Sequence, residues 1–432
     1  MLTTYRRALS LPGAWQFSAT GFVARLPIAM IGLGIVLLIS TRTGSYALAG
    51  FLSAAFQVAA AAGSILTSRR MDRVGQHRLL PWLGAVNAVA LVAFVAAVEY
   101  DQPVVVQALV VAVAGASQPS IGSMVRARWA AIAPDTDRLR GAFALESIID
   151  ELIFSVGPLI TAILAFQLAL PLPLLVSAVI GLVGAVALAL QRGTEPPPSH
   201  GATHPDGAGG RGGALRQPGL LLVVVGALGI GGVFGSYEVS VVAFTQQAGV
   251  SGASGVILGL WAFASMLGGI VFGSRHWRVP LARQVLVLSA ALTLVLLPAP
   301  FVGSVPILGL STILAGAAVA PALIANFSLT ERLVPAHLLT EGLTWTNSGL
   351  ALGFSAGTTV GGIVIDAHGT SWAFALPILS AGLATVTAAL GQRTLLRASI
   401  DRPQPAPVVP WNSDPLPGPG PGAVVDDPDP AR

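Results

Sequence analysis

The sequence predicts an all-α membrane protein: twelve transmembrane helices arranged as two pseudo-symmetric six-helix bundles. Three observations carry this. Only 10% of the 432 residues are charged and 54% are hydrophobic, whereas soluble domains carry about 25% charged residues. Apolar stretches long enough to cross a bilayer, about 20 residues each, recur twelve times along the chain. The basic residues, all 23 of them arginine, gather at the ends of these stretches and alternate by loop, as positive-inside topology requires.

Taken in order, the predicted spans are 13–40, 45–67, 79–98, 103–131, 142–167, 171–191, 218–246, 252–274, 280–298, 304–331, 342–366 and 372–394. The first follows Arg6 and Arg7. It is too long for a signal-peptide core and lacks a small-x-small cleavage site, so it reads as an uncleaved span. Residues 192–217 are rich in Gly, Pro and polar residues without periodicity, the composition of a flexible linker. Residues 400–432 are Pro-rich and acidic at the end, which predicts a disordered tail. The expected organisation is therefore a bundle over 1–191, a linker over 192–217, a second bundle over 218–399 and a tail over 400–432.

With a cytoplasmic N-terminus, 21 of the 23 arginines fall on the cytoplasmic side, Arg42 lies outside and Arg25 sits within the first span. Both termini are then cytoplasmic. Trp15, Trp82, Trp129, Trp277 and Trp372 lie near span ends, where amphipathic rings prefer to sit. The wealth of Arg, Ala, Gly and Pro suggests a GC-rich bacterial genome, hence a bacterial cytoplasmic membrane. A pI near 10.3 invites a nucleic-acid reading, but the placement of the arginines argues against it. There is no cysteine and no lysine, so neither thiol chemistry nor a phosphate-binding loop ending in Gly-Lys is encoded. No cofactor is expected, and the expected partners are the lipid bilayer, a small-molecule substrate and protons, with the chain a monomer.

The halves repeat. At an offset of 201, Ala114-Gly115-Ala116 matches Ala315-Gly316-Ala317, Pro134 matches Pro335 and Gly141 matches Gly342; at 206, Gly63 and Ser68-Arg69 match Gly269 and Ser274-Arg275. Such duplication recurs in transporters, with the substrate site at the repeat interface. In span eleven Gly349, Gly353, Gly357 and Gly361 recur every four residues, a stripe that lets another backbone approach closely.

Charge inside the spans is the anomaly that needs a function. Arg140 to Pro158 carries Glu146, Asp150 and Glu151 in an otherwise apolar segment, and a charge at the bilayer centre costs at least about 2.5–3.5 kcal/mol. Glu146 and Asp150 share a helix face, while Glu151 points about 100° away. Counting from Ala142, Glu146 falls near the cytoplasmic interface and the other two lie about 12–13 Å in from Ala142. Arg126 and Arg128, at the inner end of span four, are the nearest basic partners by topology. Glu146 is accordingly expected in a cytoplasmic latch with them, and Asp150 and Glu151 are the candidate proton carriers.

The loop after span two reads Ser68-Arg69-Arg70-Met71-Asp72-Arg73-Val74-Gly75-Gln76-His77-Arg78. It resembles the signature that the major facilitator superfamily places between its second and third helices, with Asp72, Arg73, Gly75 and Arg78 at or close to matching positions. Ser68 replaces the leading glycine, and Gln76-His77 interrupts the basic pair. The resemblance implies that these four residues form part of a cytoplasmic gate. Gly157-Pro158 resembles the centre of a motif of the family's proton antiporters, although Ile153, Thr161 and Ala162 replace its flanking glycines. The arginine that drug antiporters often carry in span four is Val111 here.

The family plan implies that spans one, four, seven and ten line a central cavity. Arg25 in span one and Glu238 in span seven each stand alone on their helix at comparable depth, and are expected to face that cavity, pairing with each other or binding substrate. Gln107, Gln118, Asn326, Trp345 and Asn347 are further candidate lining groups. The resulting expectation is a secondary active transporter of a small organic solute, proton-coupled and exporting. Uptake of a sugar or metabolite is the alternative. A membrane enzyme or a non-transporting receptor is more distant, since the sequence holds no His-Glu-x-x-His or Gly-x-Ser-x-Gly motif and no apparent output domain.

Overall fold

The computed structural model describes residues 9–134, 136–197, 214–275, 277–335 and 338–400. Within a bilayer every backbone N–H and C=O must find a partner inside its own segment, which leaves helices as the solution for apolar stretches of this length. The first half contains α1 (Ala14–Thr43), α2 (Tyr46–Val74), α3 (Gln76–Glu99), α4 (Val104–Ala116), α5 (Ile121–Ile132), α6 (Thr136–Ile163) and α7 (Leu172–Leu190). The second half contains α8 (Leu220–Gln247), α9 (Ala253–Gly273), α10 (Leu281–Leu296), α11 (Val305–Leu333), α12 (Leu339–His368), α13 (Thr370–Ala373) and α14 (Ala375–Ile400). With α4–α5 and α13–α14 each forming one span, twelve helical segments among the described residues are long and apolar enough to cross a membrane. Large apolar side chains such as Leu190, Trp82 and Leu390 are 73%, 72% and 82% exposed, an outer surface suited to lipid.

Span four is broken, which the sequence reading missed. α4 stops at Ala116 and α5 restarts at Ile121, because Pro119 has no N–H to donate and disfavours helical backbone before it. Ser117 Oγ bonds back to the Val113 carbonyl at 2.7 Å, satisfying one of the groups that the break leaves over. α6 ends in one π-helical turn, Leu164–Leu168.

The duplication is visible in packing. α1 lies against α6 and α7 as α8 lies against α12 and α14; α2 crosses α4 as α9 crosses α11; α3 meets α7 as α10 meets α14. The repeat register needs one correction. A side chain at Gly63 would collide with the Ala116 carbonyl, and one at Gly268 would collide with the Ala317 carbonyl. The equivalent of Gly63 is therefore Gly268, an offset of 205 rather than 206. Gly115 against Phe56 and Gly316 against Trp261 complete the same pair of backbone crossings.

The two halves meet through α2 with α12 and through α6 with α9. Both seams are tightest far from the arginine-rich face, at the ends of the helices remote from Gly75. Gly50 abuts the Thr358 carbonyl, Gly362 the Tyr46 carbonyl and Gly255 the Pro158 carbonyl. Asp366 crosses the seam, accepting from the backbone N–H groups of Tyr46 and Ala47 at 2.9 Å each and from Ser45 Oγ at 2.8 Å. Gln246 Nε2 donates to Ser40 Oγ and Thr41 Oγ1 at 3.1 Å each, and Tyr46 OH donates to Gln246 Oε1 at 2.5 Å. That face is closed.

Candidate functional site: a central cavity and a buried charge cluster

Between the halves lies a cavity of about 1080 Å³. It is walled by the middles of α1, α6 and α8, by α2 from Gln57 to Ser64, by α9 from Leu258 to Ile270, by α11 from Ala320 to Ile324 and by the first half of α12. Most of these residues lie from mid-membrane towards the arginine-rich face. Glu238 of α8 and Glu151 of α6 line it from opposite halves, with Asn347 of α12. Glu238 is turned towards α1, where a Cβ built on Gly32 would stand 3.9 Å from its Oε1. That Oε1 is buried and has no hydrogen-bond partner, the only carboxylate oxygen in that condition among the described residues. Beside it, the Tyr237 ring stacks at a tilt on Trp261, centroids 4.2 Å apart, and its hydroxyl lies 2.5 Å from Thr312 Oγ1.

Arg25 is not at this cavity. It is 1% exposed and is taken up by the first half. Its Nη1 donates to Asp150 Oδ1 at 2.7 Å, its Nη2 bonds Glu146 Oε2, and its Nε caps the Gly21 carbonyl at 3.0 Å. Arg126 Nη2 holds the other oxygen of Asp150 at 2.5 Å. Glu146 also accepts from Ser18 Oγ at 2.7 Å and from Trp129 Nε1 at 2.9 Å. The expected pairing of Arg25 with Glu238 is thereby corrected, because two nearer carboxylates occupy the guanidinium. Glu146 is corrected from a surface latch to a fully buried position. The reason is packing: α1 and α5 cover this face of α6, and Ser18, Arg25 and Trp129 bond the Glu146 carboxylate. Trp129 is likewise no interfacial anchor: it is fully buried, edge-on to Phe17 at 4.8 Å.

Arg128 departs from its expected acidic partner. It donates to Gln76 Oε1 at 2.8 Å, Thr194 Oγ1 at 3.0 Å, and the Leu188 and Gln191 carbonyls at 2.9 and 2.7 Å. It thus caps the C-terminal end of α7, where free carbonyls and the helix dipole favour a cation. Gly75 joins α2 to α3 with φ +93°, a conformation that only glycine adopts freely, and Arg73 and Arg78 are exposed on either side. The side chain of Asp72 lies outside the described residues. Next to Gly75, Glu195 accepts from the His77 backbone at 3.1 Å and meets its Nδ1 at 2.9 Å.

Four other candidate lining groups sit elsewhere. Gln107 is near the start of α4 at the closed face, its Nε2 on the Gln102 carbonyl at 2.8 Å. Gln118 falls in the break between α4 and α5. Asn326 is 2% exposed in α11, its Oδ1 unpartnered, and Trp345 lies on α12 outside the cavity wall. Sequence reasoning in turn missed Gln57, Ala61 and Ser64 of α2, which line the cavity. Their spacing of four and three residues marks one helix face and was a usable signal. The aromatic wall of Phe234, Tyr237 and Trp261 carried none, since aromatics in a buried span read equally well as core.

The model of the Major Facilitator Superfamily matches residues 17–281. The chain belongs to this superfamily. Among solved structures, it is similar to a bacterial homologue of the human lysosomal transporter Spinster in an inward-facing, unoccupied conformation: TM-score 0.67, 16% identity, 93% of this chain and 99% of that one. It is also similar to the nucleoside transporter NupG (TM-score 0.67, 17% identity, 88% and 98% covered). A bacterial homologue of the iron transporter ferroportin, inward-facing, gives 0.65 at 13% identity, with 87% and 98% covered. At these identities the likeness shows the fold. No curated protein sequence matches. The family and fold make this superfamily member a multi-pass membrane transporter and not an enzyme.

Proposed function

We propose that this transporter is a proton-coupled exporter of a small organic solute, working by alternating access in a bacterial cytoplasmic membrane. In this reading the two bundles, 1–191 and 218–399, rock about the central cavity as a monomer. The arginine-rich face and both termini are cytoplasmic, and the conformation described above is the inward-open one. The observation that carries it is Glu238: a carboxylate oxygen buried without a partner, on the cavity between the two halves. A buried polar group left unpaired is costly, so this position favours a state in which Glu238 holds a proton or a ligand. If solute and proton use the same carboxylate in turn, they exchange, and an inward proton gradient then drives export.

The coupling role expected of Asp150 and Glu151 falls to Glu151. Both oxygens of Asp150 are occupied by Arg25 and Arg126, and a proton there would displace an ion pair. Glu151 lines the cavity with Glu238. Arg73, Gly75 and Arg78, with Asp72, remain assigned to the cytoplasmic gate.

The chain has no cysteine, so spin labels go directly onto introduced pairs: Leu66 with Gly273 at the arginine-rich face, Tyr100 with Phe301 at the other. Acidification is expected to shift both distance distributions in opposite senses. Glu238→Gln should abolish that shift, and Glu151→Gln should reduce it. Retention of the full shift in both variants would remove the proton assignment.

A further inference from the structure

Resting on the reading of this cavity as the transport site, we infer that its substrates are hydrophobic organic cations. Among the described lining residues every charged side chain is a carboxylate, Glu151 and Glu238, one from each half, and none is an arginine or histidine. The guanidinium groups of the buried charge cluster described above are already engaged. Arg25 and Arg126 meet Glu146 and Asp150, two cations against two anions, and Arg128 is bonded to helix carbonyls and to Gln76 and Thr194. The cluster is therefore neutral as a unit and lends no positive charge to the cavity.

An anionic solute would meet carboxylates and no counter-ion among the described lining residues, at low dielectric where repulsion from an ionised one is strong. A polyhydroxylated solute would need many hydrogen-bonding groups, yet most of the wall is hydrocarbon and aromatic. A divalent metal ion requires four or more ligands in close array, and no group of three or more His, Cys, Asp or Glu side chains that could hold one occurs among the described residues. A cation with apolar substituents fits each element. Its charge is met by Glu238, whose Oε1 lacks a partner, its ring faces by Tyr237 and Trp261, and its bulk by a space of about 1080 Å³, the scale of drug-sized ligand sites. On release it is replaced on the carboxylate by one proton, so charge at the site is conserved through the cycle.

Tetraphenylphosphonium and tetraphenylborate have the same shape and opposite charge, and test the class on the purified full-length protein in detergent. Tetraphenylphosphonium should bind saturably and release protons into a weakly buffered solution. Tetraphenylborate should bind at least tenfold more weakly, and Glu238→Gln should weaken the phosphonium at least tenfold while leaving the melting temperature within a few degrees. Equal affinity for the two ions, a comparison that needs no variant, would overturn the inference, as would undiminished phosphonium binding by a folded Glu238→Gln. Acid-driven distance changes with equal affinity for both ions would remove the substrate class and leave proton coupling standing. Selective phosphonium binding without proton release would support the class and remove the coupling.

Discussion

Arg25 shows how a buried charge is made tolerable in this fold. Its guanidinium joins α1 to two carboxylates on α6, and Arg126 balances the second. Replacing the whole set with apolar groups can be nearly neutral, whereas removing one partner costs about 3–5 kcal/mol. Arg25→Ala is therefore expected to lower the thermal midpoint in detergent sharply, and adding Glu146→Gln should recover a large part of the loss. Equal midpoints for the single and double variants would show that the two residues are not coupled. The sequence placed Arg126 near these acids by loop topology. It could not place Arg25, which is 121 residues from Glu146 and meets it only because α1 packs on α6.

At the scale of the element, the glycine stripe of α12 was legible from spacing alone, and its partner was not. The partner is α8, itself Gly-rich. Gly353 abuts the Leu228 carbonyl, Gly357 lies so that a Cβ would stand 2.5 Å from the Gly232 carbonyl, and Gly231 and Gly235 of α8 return the contact against Leu350 and Phe354. Two backbones approach this closely only where neither carries a side chain at the crossing. Gly353→Val should cost about 1–3 kcal/mol through overpacking, read as a lowered thermal midpoint. Gly382 of α14, where an added Cβ meets nothing within 4 Å, should accept alanine without loss. The break in span four was legible too, from Ser117-Gln118-Pro119-Ser120, had the proline been given more weight than the continuous hydropathy around it.

For the whole molecule, the closed face depends on contacts that join the halves without linking them covalently. Asp366 does this most directly, capping the start of α2 from α12. A side-chain cap on exposed N–H groups is worth ~1 kcal/mol, and here the cap exists only in the conformation that brings α2 and α12 together. Asp366→Ala should shift the equilibrium several-fold towards the state opened at this face, seen as a longer population between labels at Tyr100 and Phe301. An unchanged distribution would mean that the glycine crossings alone set the balance.

Span number, approximate span limits and the two-bundle plan follow from the sequence because a bilayer imposes them residue by residue: about 20 apolar positions per crossing and arginines kept to one side. The chemistry of the site does not follow in that way. Asp150 and Glu151 are adjacent, of the same class and at nearly the same depth, yet one is tied to two arginines and the other lines the cavity. What separates them is about 100° of rotation around α6, together with the helices packed against each side of it. Sequence determined that charge had to be accommodated inside this membrane protein. Only the packing of α1, α5, α6 and α8 decided which carboxylates were neutralised by arginine and which were left facing the cavity.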